Sequence, residues 1–242
     1  MGDLYQKPED ASHIFEKLMS KFGCNLSAAL KISTGELRES ELRARACAEV
    51  GKILCQIPGV TETQREITCV FNEIFGDLVS SLYLGACALD RPAQMVLRRV
   101  LELGVATVYL WDLPHVFWGW KKHDVDLNFK DMLDHLASPS FKSFVSFANA
   151  RTAGQDVLDG SEARKLYRDL SNAIHGKLST FETLISDRFT HTEADWEHHL
   201  NLVERVERLL LTMWKVRFRE VELGLQSNMP QLQRIPGTND HA

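Results

Sequence analysis

Hydrophobic residues recur along most of this chain at intervals of three and four positions, which is the spacing of one face of an α-helix. Alternating apolar and polar positions, the pattern of a β-strand, are scarce. Residues that begin or end helices separate the periodic stretches. Thr61 and Gln64 have the spacing of a capping box, while Pro92 suits a first helical turn and Pro114 ends a helix. The pattern therefore predicts an all-α protein.

These signals bound the predicted helices. They run from near Asp10 to Phe22, from about Gly35 to Ile57, from Thr61 to about Leu89, from Pro92 to Trp111, from Ser161 to Ser179 and from Thr192 to Leu223. Long helices with apolar faces and short connections favour an up-and-down helical bundle. We expect an N-terminal helical extension over residues 1–58, the bundle over residues 59–226 with an aromatic-rich insertion at about 112–160, and a flexible tail over residues 227–242.

Composition and charge narrow the class of protein. Hydrophobic residues make up 44% of the chain and charged residues 25%, which is typical of a globular protein. The net charge of −5 disfavours a protein that coats nucleic acid, but it leaves room for a small basic site. The five cysteines have no CxxC spacing, residues 1–10 have no secretory pattern, and no long apolar run is free of charge. These features predict a soluble protein of the reducing cytoplasm without a membrane span.

The helix predicted from Pro92 to Trp111 is apolar nearly all the way round, which is typical of a helix at the centre of a bundle. It nevertheless carries Arg98, Arg99 and Glu102. Because buried charge is costly unless it is paired, one interpretation is an ion pair of Arg98 with Glu102 at four-residue spacing. The other interpretation is that these side chains line a polar pocket within the bundle.

The helix predicted from Ser161 to Ser179 has one apolar and one polar side. At 100° per residue the polar side, here called the arginine–histidine stripe, comprises Arg164, Arg168, Ser171, Asn172, His175 and Ser179. Its side chains donate hydrogen bonds to anions, and histidine also moves protons near neutral pH. The alternative interpretation is an ordinary solvated face of a surface helix.

The stripe resembles a known motif. Arg168-Asp169 followed by His175, with six residues between the arginine and the histidine, is similar to the pattern of the HEPN superfamily (higher eukaryotes and prokaryotes nucleotide-binding domain). Residues 167–176 and 91–102 resemble a bacterial branch associated with abortive infection and phage defence. The resemblance implies an up-and-down bundle over about residues 61–223 and, commonly, a metal-independent endoribonuclease that acts as a homodimer.

An RNA-cleaving hypothesis follows from this resemblance. RNA supplies its own nucleophile, the 2′-hydroxyl group, so cleavage needs a proton-transfer group and a cation near the phosphate. We assign these roles to His175 and Arg168 respectively. The supporting residues are Arg164, Ser171 and Asn172 on the same helix, with Arg98 and Glu102 on the neighbouring one. A second chain is expected to complete the site.

Two other hypotheses stay open. The first is a non-catalytic module that binds a nucleotide or an operon-encoded protein partner in a defence or toxin–antitoxin system. Asp169, where family ribonucleases often have Asn or His, favours this hypothesis, as does the negative net charge. The second is a purely structural bundle. No metal or other cofactor is expected, because the sequence has no Glu-x-x-His pair, P-loop or GxGxxG motif.

Overall fold

The structure, a computed structural model, describes residues 11–174 and 189–234. The helices are α1 (Ala11–Ile32), α2 (Thr34–Cys55), α3 (Glu62–Thr68), α4 (Val70–Ala86), α5 (Asp90–Asp112), α6 (Pro114–Lys121), α7 (Phe129–Leu136), α8 (Pro139–Ala148), α9 (Gly160–Ile174), α10 (Glu193–Arg217) and α11 (Arg219–Asn228). Short 3-10 turns cover Ala150–Thr152 and Pro230–Arg234. No strand occurs among the described residues, and the predicted all-α bundle is confirmed.

Local sequence signals explain most helix starts. The Thr61 side chain accepts a hydrogen bond from the Gln64 amide at 3.2 Å, and the Gln64 side chain accepts one from the Thr61 amide at 3.0 Å. This is the predicted capping box, and it starts α3. Pro92 stands in the first turn of α5, and the Thr192 hydroxyl caps α10 by accepting a hydrogen bond from Asp195 at 3.1 Å.

Three predicted helix boundaries are wrong. The first helix, which we expected to end at Phe22 because Gly23 follows, continues to Ile32. The helix predicted from Thr61 to Leu89 is divided at Cys69, where the Thr68 hydroxyl bonds back to the Arg65 carbonyl at 2.6 Å and competes with the regular backbone pattern. The helix predicted from Thr192 to Leu223 breaks at Phe218, whose backbone is extended and whose ring packs against Trp111.

Helix α5 lies at the centre of the bundle and contacts α4, α7, α9 and α10. Helix α2, which the sequence assigned to an N-terminal extension, packs against α4, α10 and α11. Its Val50 and Leu54 belong to the same continuous core as Val105 and Trp214. Helix α2 therefore contributes directly to the bundle core.

The two remaining segments also contribute buried side chains. The aromatic-rich stretch folds into α6, α7 and α8, and its Phe117, Phe129 and Phe141 are buried. In the stretch predicted as a flexible tail, α11 extends to Asn228 and the side chain of Leu232 is buried. By length and composition alone, the stretch Glu62–Ala86 is apolar enough to cross a membrane, a test that the core helices of soluble proteins also pass.

Candidate functional site

Helix α9 carries the described part of the arginine–histidine stripe. Its cap is Asp159, two residues before the predicted helix start at Ser161, since one Asp159 carboxylate oxygen accepts hydrogen bonds from the Ser161 amide at 2.9 Å and the Glu162 amide at 3.0 Å. The bond from the Glu162 amide is the main reason that the pKa of Asp159 lies below its usual value. Leu166 and Leu170 are fully buried, as the amphipathic pattern predicts. His175 and Ser179 lie outside the described residues.

The polar side of α9 is less uniform than its sequence indicates. Arg164 and Arg168 are exposed and Asn172 is half-buried. Ser171 is buried instead, and its hydroxyl donates to the Tyr167 carbonyl at 2.5 Å. Ser171 is therefore not available for a ligand on the surface of α9, because its donor is used within the helix.

The two exposed arginines of α9 differ in their partners. Arg164 Nη2 lies 3.1 Å from Asp134 Oδ1 on α7, so a neighbouring helix supplies the acid that the stripe itself lacks. No hydrogen bond or ion pair links Arg168 to another residue within the described ranges 11–174 and 189–234. Among the described residues of the stripe, Arg168 is thus the cation that an anionic ligand reaches without displacing a carboxylate.

A second polar cluster joins α5 to α9. Arg98 Nε lies 3.0 Å from Glu102 Oε1, which confirms the predicted ion pair within α5. The Arg98 guanidinium also donates to the Tyr167 hydroxyl at 2.6 Å and lies 4.5 Å from the centre of that ring. Phe129 of α7 stacks on Tyr167 at 4.3 Å with an interplanar angle of 9°. This cluster fixes α9 against α5 and α7. The Arg98–Glu102 pair itself is half-buried.

Among the described residues, a fully buried ion pair that was not predicted joins α2 to α10. Arg43 Nε of α2 lies 2.8 Å from Glu207 Oε2 of α10, and the Ser40 hydroxyl donates to the same oxygen at 3.0 Å. Burial raises the pKa of Glu207 to about 7 against the opposing effect of Arg43. The sequence signal that might have revealed the pair is a charge inside an apolar helix face, since Val203, Val206 and Leu210 surround position 207.

A buried histidine and serine also meet in the core. His199 Nε2 lies 3.1 Å from the Ser81 carbonyl oxygen and 3.3 Å from the Ser81 hydroxyl. That hydroxyl donates to the Ala93 carbonyl at 2.9 Å. Burial lowers the pKa of His199 to about 4, so the ring is neutral near pH 7. Both side chains are fully covered, which leaves no access for a substrate, and the contact is structural.

Comparisons with protein-family models, curated proteins and solved structures find no match to this chain. Within the described residues, no group of three or more His, Cys, Asp or Glu side chains is arranged to hold a metal ion. The candidate site therefore consists of Arg168 and Asn172 on α9, next to the Arg98–Tyr167 cluster. His175 is assigned to this site from its position in the sequence alone.

Proposed function

We propose that the protein is a HEPN-type endoribonuclease that binds RNA at the polar side of α9 and cleaves it without a metal ion. The observation that carries the proposal is the exposed Arg168, which has no acidic partner among the described residues and stands on a helix held by buried leucines. A guanidinium in this situation is well suited to a phosphate group. We also propose that the protein acts in bacterial antiphage defence or as a toxin, because its sequence resembles that branch of the superfamily.

The chemistry assigns a separate role to each side chain. Arg168 neutralises charge that develops on the phosphate oxygens while the RNA 2′-hydroxyl attacks. His175, seven positions further along the chain, accepts the proton of the 2′-hydroxyl and returns it to the leaving 5′-oxygen as the phosphorus–O5′ bond breaks. Asn172, one helical turn after Arg168, donates a hydrogen bond that positions the phosphate. Arg98 and Glu102 act indirectly, because they hold Tyr167 and thereby the orientation of α9.

A homodimer is part of the proposal. Positions 168 and 175 of one regular helix lie about 10 Å apart along its axis, too far for both side chains to act easily on one phosphate. A second copy would supply the missing group. Two of the predicted supporting residues take lesser roles: Arg164 is held by Asp134, and Ser171 is buried.

Arg168→Ala tests the proposal, with Arg164→Ala as the matched control on the same helix. We expect Arg168→Ala to lower the rate of RNA cleavage by about 10² to 10³, as loss of a charge-stabilising group does, and His175→Ala to lower it by about 10² to 10⁴. Arg164→Ala should retain most activity, because that side chain already pairs with Asp134. Cleavage should persist in EDTA and leave 2′,3′-cyclic phosphate ends. Equal activity of the Arg168 and Arg164 variants would contradict the assigned role.

The non-catalytic module is the second candidate, favoured by the Arg164–Asp134 ion pair and by Asp169 beside Arg168. Acids near the stripe reduce its attraction for a polyanion such as RNA and suit a protein partner better. RNA left intact by the purified protein, together with Arg168-dependent capture of an operon-encoded protein partner, would establish this function instead. Retention of a labelled nucleotide by the intact protein would identify the nucleotide-binding form.

A further inference from the structure

Helices α7 and α9 both pack on α5 and touch each other through their side chains. At the start of α7 the Phe129 ring stacks on Tyr167 at 4.3 Å. Further along α7, Asp134 pairs with Arg164, which comes before Tyr167 on α9. Because the second contact lies later on α7 but earlier on α9, the two helices run in opposite directions. The stacked rings mark the sides on which the two helices face each other.

This alignment places Lys130 and Arg168 on the same edge of the helix pair. Lys130 follows Phe129 and Arg168 follows Tyr167, so each cation lies about 100° round its helix from a stacked ring. In two right-handed helices that run in opposite directions, these two rotations turn toward the same side of the pair. Both side chains are exposed. Lys130 and Arg168 therefore share one solvent-facing edge, with one cation on each helix.

The acids next to these cations do not occupy the shared edge. Asp131 and Asp169 each come one residue later, about 200° round from the stacked rings, so they lie on the outer sides of the helix pair. Asp134 is closer to the edge, but its carboxylate is held by Arg164 at 3.1 Å. That pair is neutral as a unit, so the edge keeps the positive charge of its two cations.

The two cations are free to bind an anion. Within the part of the chain that the structure describes, neither Lys130 nor Arg168 makes a side-chain hydrogen bond or an ion pair. The rings beside them are closed to a nucleotide base, because Phe129 is 6% exposed and the Arg98 guanidinium lies 4.5 Å from the centre of the Tyr167 ring. The edge therefore offers charge without a stacking surface, which suits phosphate groups better than bases.

We infer that Lys130 is a second phosphate-binding residue of the proposed RNA site, and that Lys130 and Arg168 hold successive phosphates of one RNA strand. The inference rests on the proposed function, since that function places the strand on α9. Two cations on separate helices need two anionic groups, and a sugar–phosphate backbone supplies them at regular intervals. Contacts to phosphate position a strand without reading its bases, so the ligand is a single strand of any sequence.

Binding of a single-stranded 2′-O-methyl RNA to the full chain tests the inference. This probe is not cleaved, because its 2′-hydroxyl groups are blocked, and fluorescence anisotropy gives its Kd over a range of salt concentrations. Each phosphate contact to a single strand adds about 0.7 to the slope of log K against log salt. Lys130→Gln should therefore lower that slope by about 0.7 and weaken binding about fivefold to tenfold at roughly 50 mM salt. Lys130→Arg keeps the charge and should bind as the wild type does.

Lys31→Gln is the matched control. Lys31 is also an exposed lysine without a partner among the described residues, but it lies on α1, which packs on α2, α4 and α10. The substitution makes the same change in net charge and should leave the slope and the Kd unchanged. Lys130→Gln should weaken the binding of oligo-U and oligo-A by the same factor, because a phosphate contact does not read the base. Equal slopes for the two glutamine variants, or a loss that depends on the base, would overturn the inference.

The pattern across the variants separates this inference from the proposed function. Binding that is weakened by Arg168→Ala but not by Lys130→Gln overturns the inference and leaves the proposed function in place. Binding that is weakened by Lys130→Gln but not by Arg168→Ala removes the strand from α9 and overturns both. A wild-type protein that retains no RNA at any salt concentration overturns the proposed function and, with it, the inference.

Discussion

Two arginine–glutamate pairs in this bundle share one chemistry and differ in their surroundings. Arg43 and Glu207 join α2 to α10, and their side chains are 3% and 0% exposed. Arg98 and Glu102 stand one turn apart on α5 with 20% and 36% exposed. The distances are nearly equal, 2.8 Å and 3.0 Å, so distance does not separate the two pairs. Exposure to solvent separates the two pairs, because in the core no water is available to solvate a charge that has lost its partner.

The remaining contacts of the two arginines sharpen this difference. Arg98 also touches Tyr167, which holds its guanidinium if the carboxylate is removed. Arg43 has only a distant second acid, since its Nη1 lies 3.6 Å from Glu39 and makes no hydrogen bond. Glu207 Oε1 likewise has no hydrogen-bond partner. The buried pair is therefore incompletely satisfied, and loss of either member should be costly.

Glu207→Ala should have the largest effect on stability. The substitution leaves the buried Arg43 guanidinium without its carboxylate partner. Removal of one member of such a pair destabilises a protein by about 3–5 kcal/mol. Chemical denaturation monitored by helical circular dichroism measures the change. The double variant Arg43→Met/Glu207→Leu is the control, because it removes both charges and should recover most of the loss. A single variant within about 1 kcal/mol of the wild type would show that water reaches Arg43.

The pH dependence of stability should separate Glu207 from the other carboxylates. Burial raises its pKa from the ordinary value of 4.5 to about 7. Between these values the unfolded chain releases a proton that the folded chain retains, so this group makes stability fall as pH rises and contributes no slope above pH 7. Glu207→Gln should remove that fall in denaturation measured across the window. An unchanged profile would mean that Arg43 keeps the carboxylate ionised.

His199 should act in the opposite direction. Its pKa falls from the ordinary 6.5 to about 4, so its contribution to stability is complete above pH 6.5 and is lost as pH falls through 4. Between pH 4.5 and 6.5 the two groups oppose each other. Relative to the wild type, the stability of His199→Gln should fall more steeply with rising pH there, and that of Glu207→Gln should rise more steeply. Parallel profiles for all three proteins would refute both assignments.

Local signals predicted much of the fold. The capping box at Thr61, Pro92 in the first turn of α5 and the apolar periodicity are properties of neighbouring residues, and the sequence shows them directly. The break at Phe218 was missed because packing decides it: Phe218 leaves the helix to place its ring against Trp111. The break at Cys69 was missed although the bond from the Thr68 hydroxyl to the Arg65 carbonyl is local. Gly23 was read as a stop, although a single glycine only weakens a helix.

The same distinction applies to the candidate site. Arg98 and Glu102 were paired correctly because four residues on one helix set their distance. The pair of Arg43 with Glu207 was missed because 164 residues separate them along the chain. The partner of Arg164 was missed in the same way, since Asp134 belongs to another helix. The burial of Ser171 depends on how α9 is rotated against its neighbours, which helical periodicity gives only approximately.

Glu102→Ala should destabilise the protein much less than Glu207→Ala. If the pair were fully buried, loss of Glu102 would cost about 3–5 kcal/mol. The partial exposure of Glu102 and the contact of Arg98 with Tyr167 reduce the expected loss to below about 1 kcal/mol. Glu41→Ala is the matched control, because Glu41 and Arg45 form an exposed pair at the same four-residue spacing on α2. Its expected loss is about 0.3–0.5 kcal/mol, and Glu102→Ala should fall between this value and that of Glu207→Ala. A loss for Glu102→Ala as large as that for Glu207→Ala would mean that water does not reach Arg98, and that the difference between the two pairs lies in helix connectivity and not in exposure.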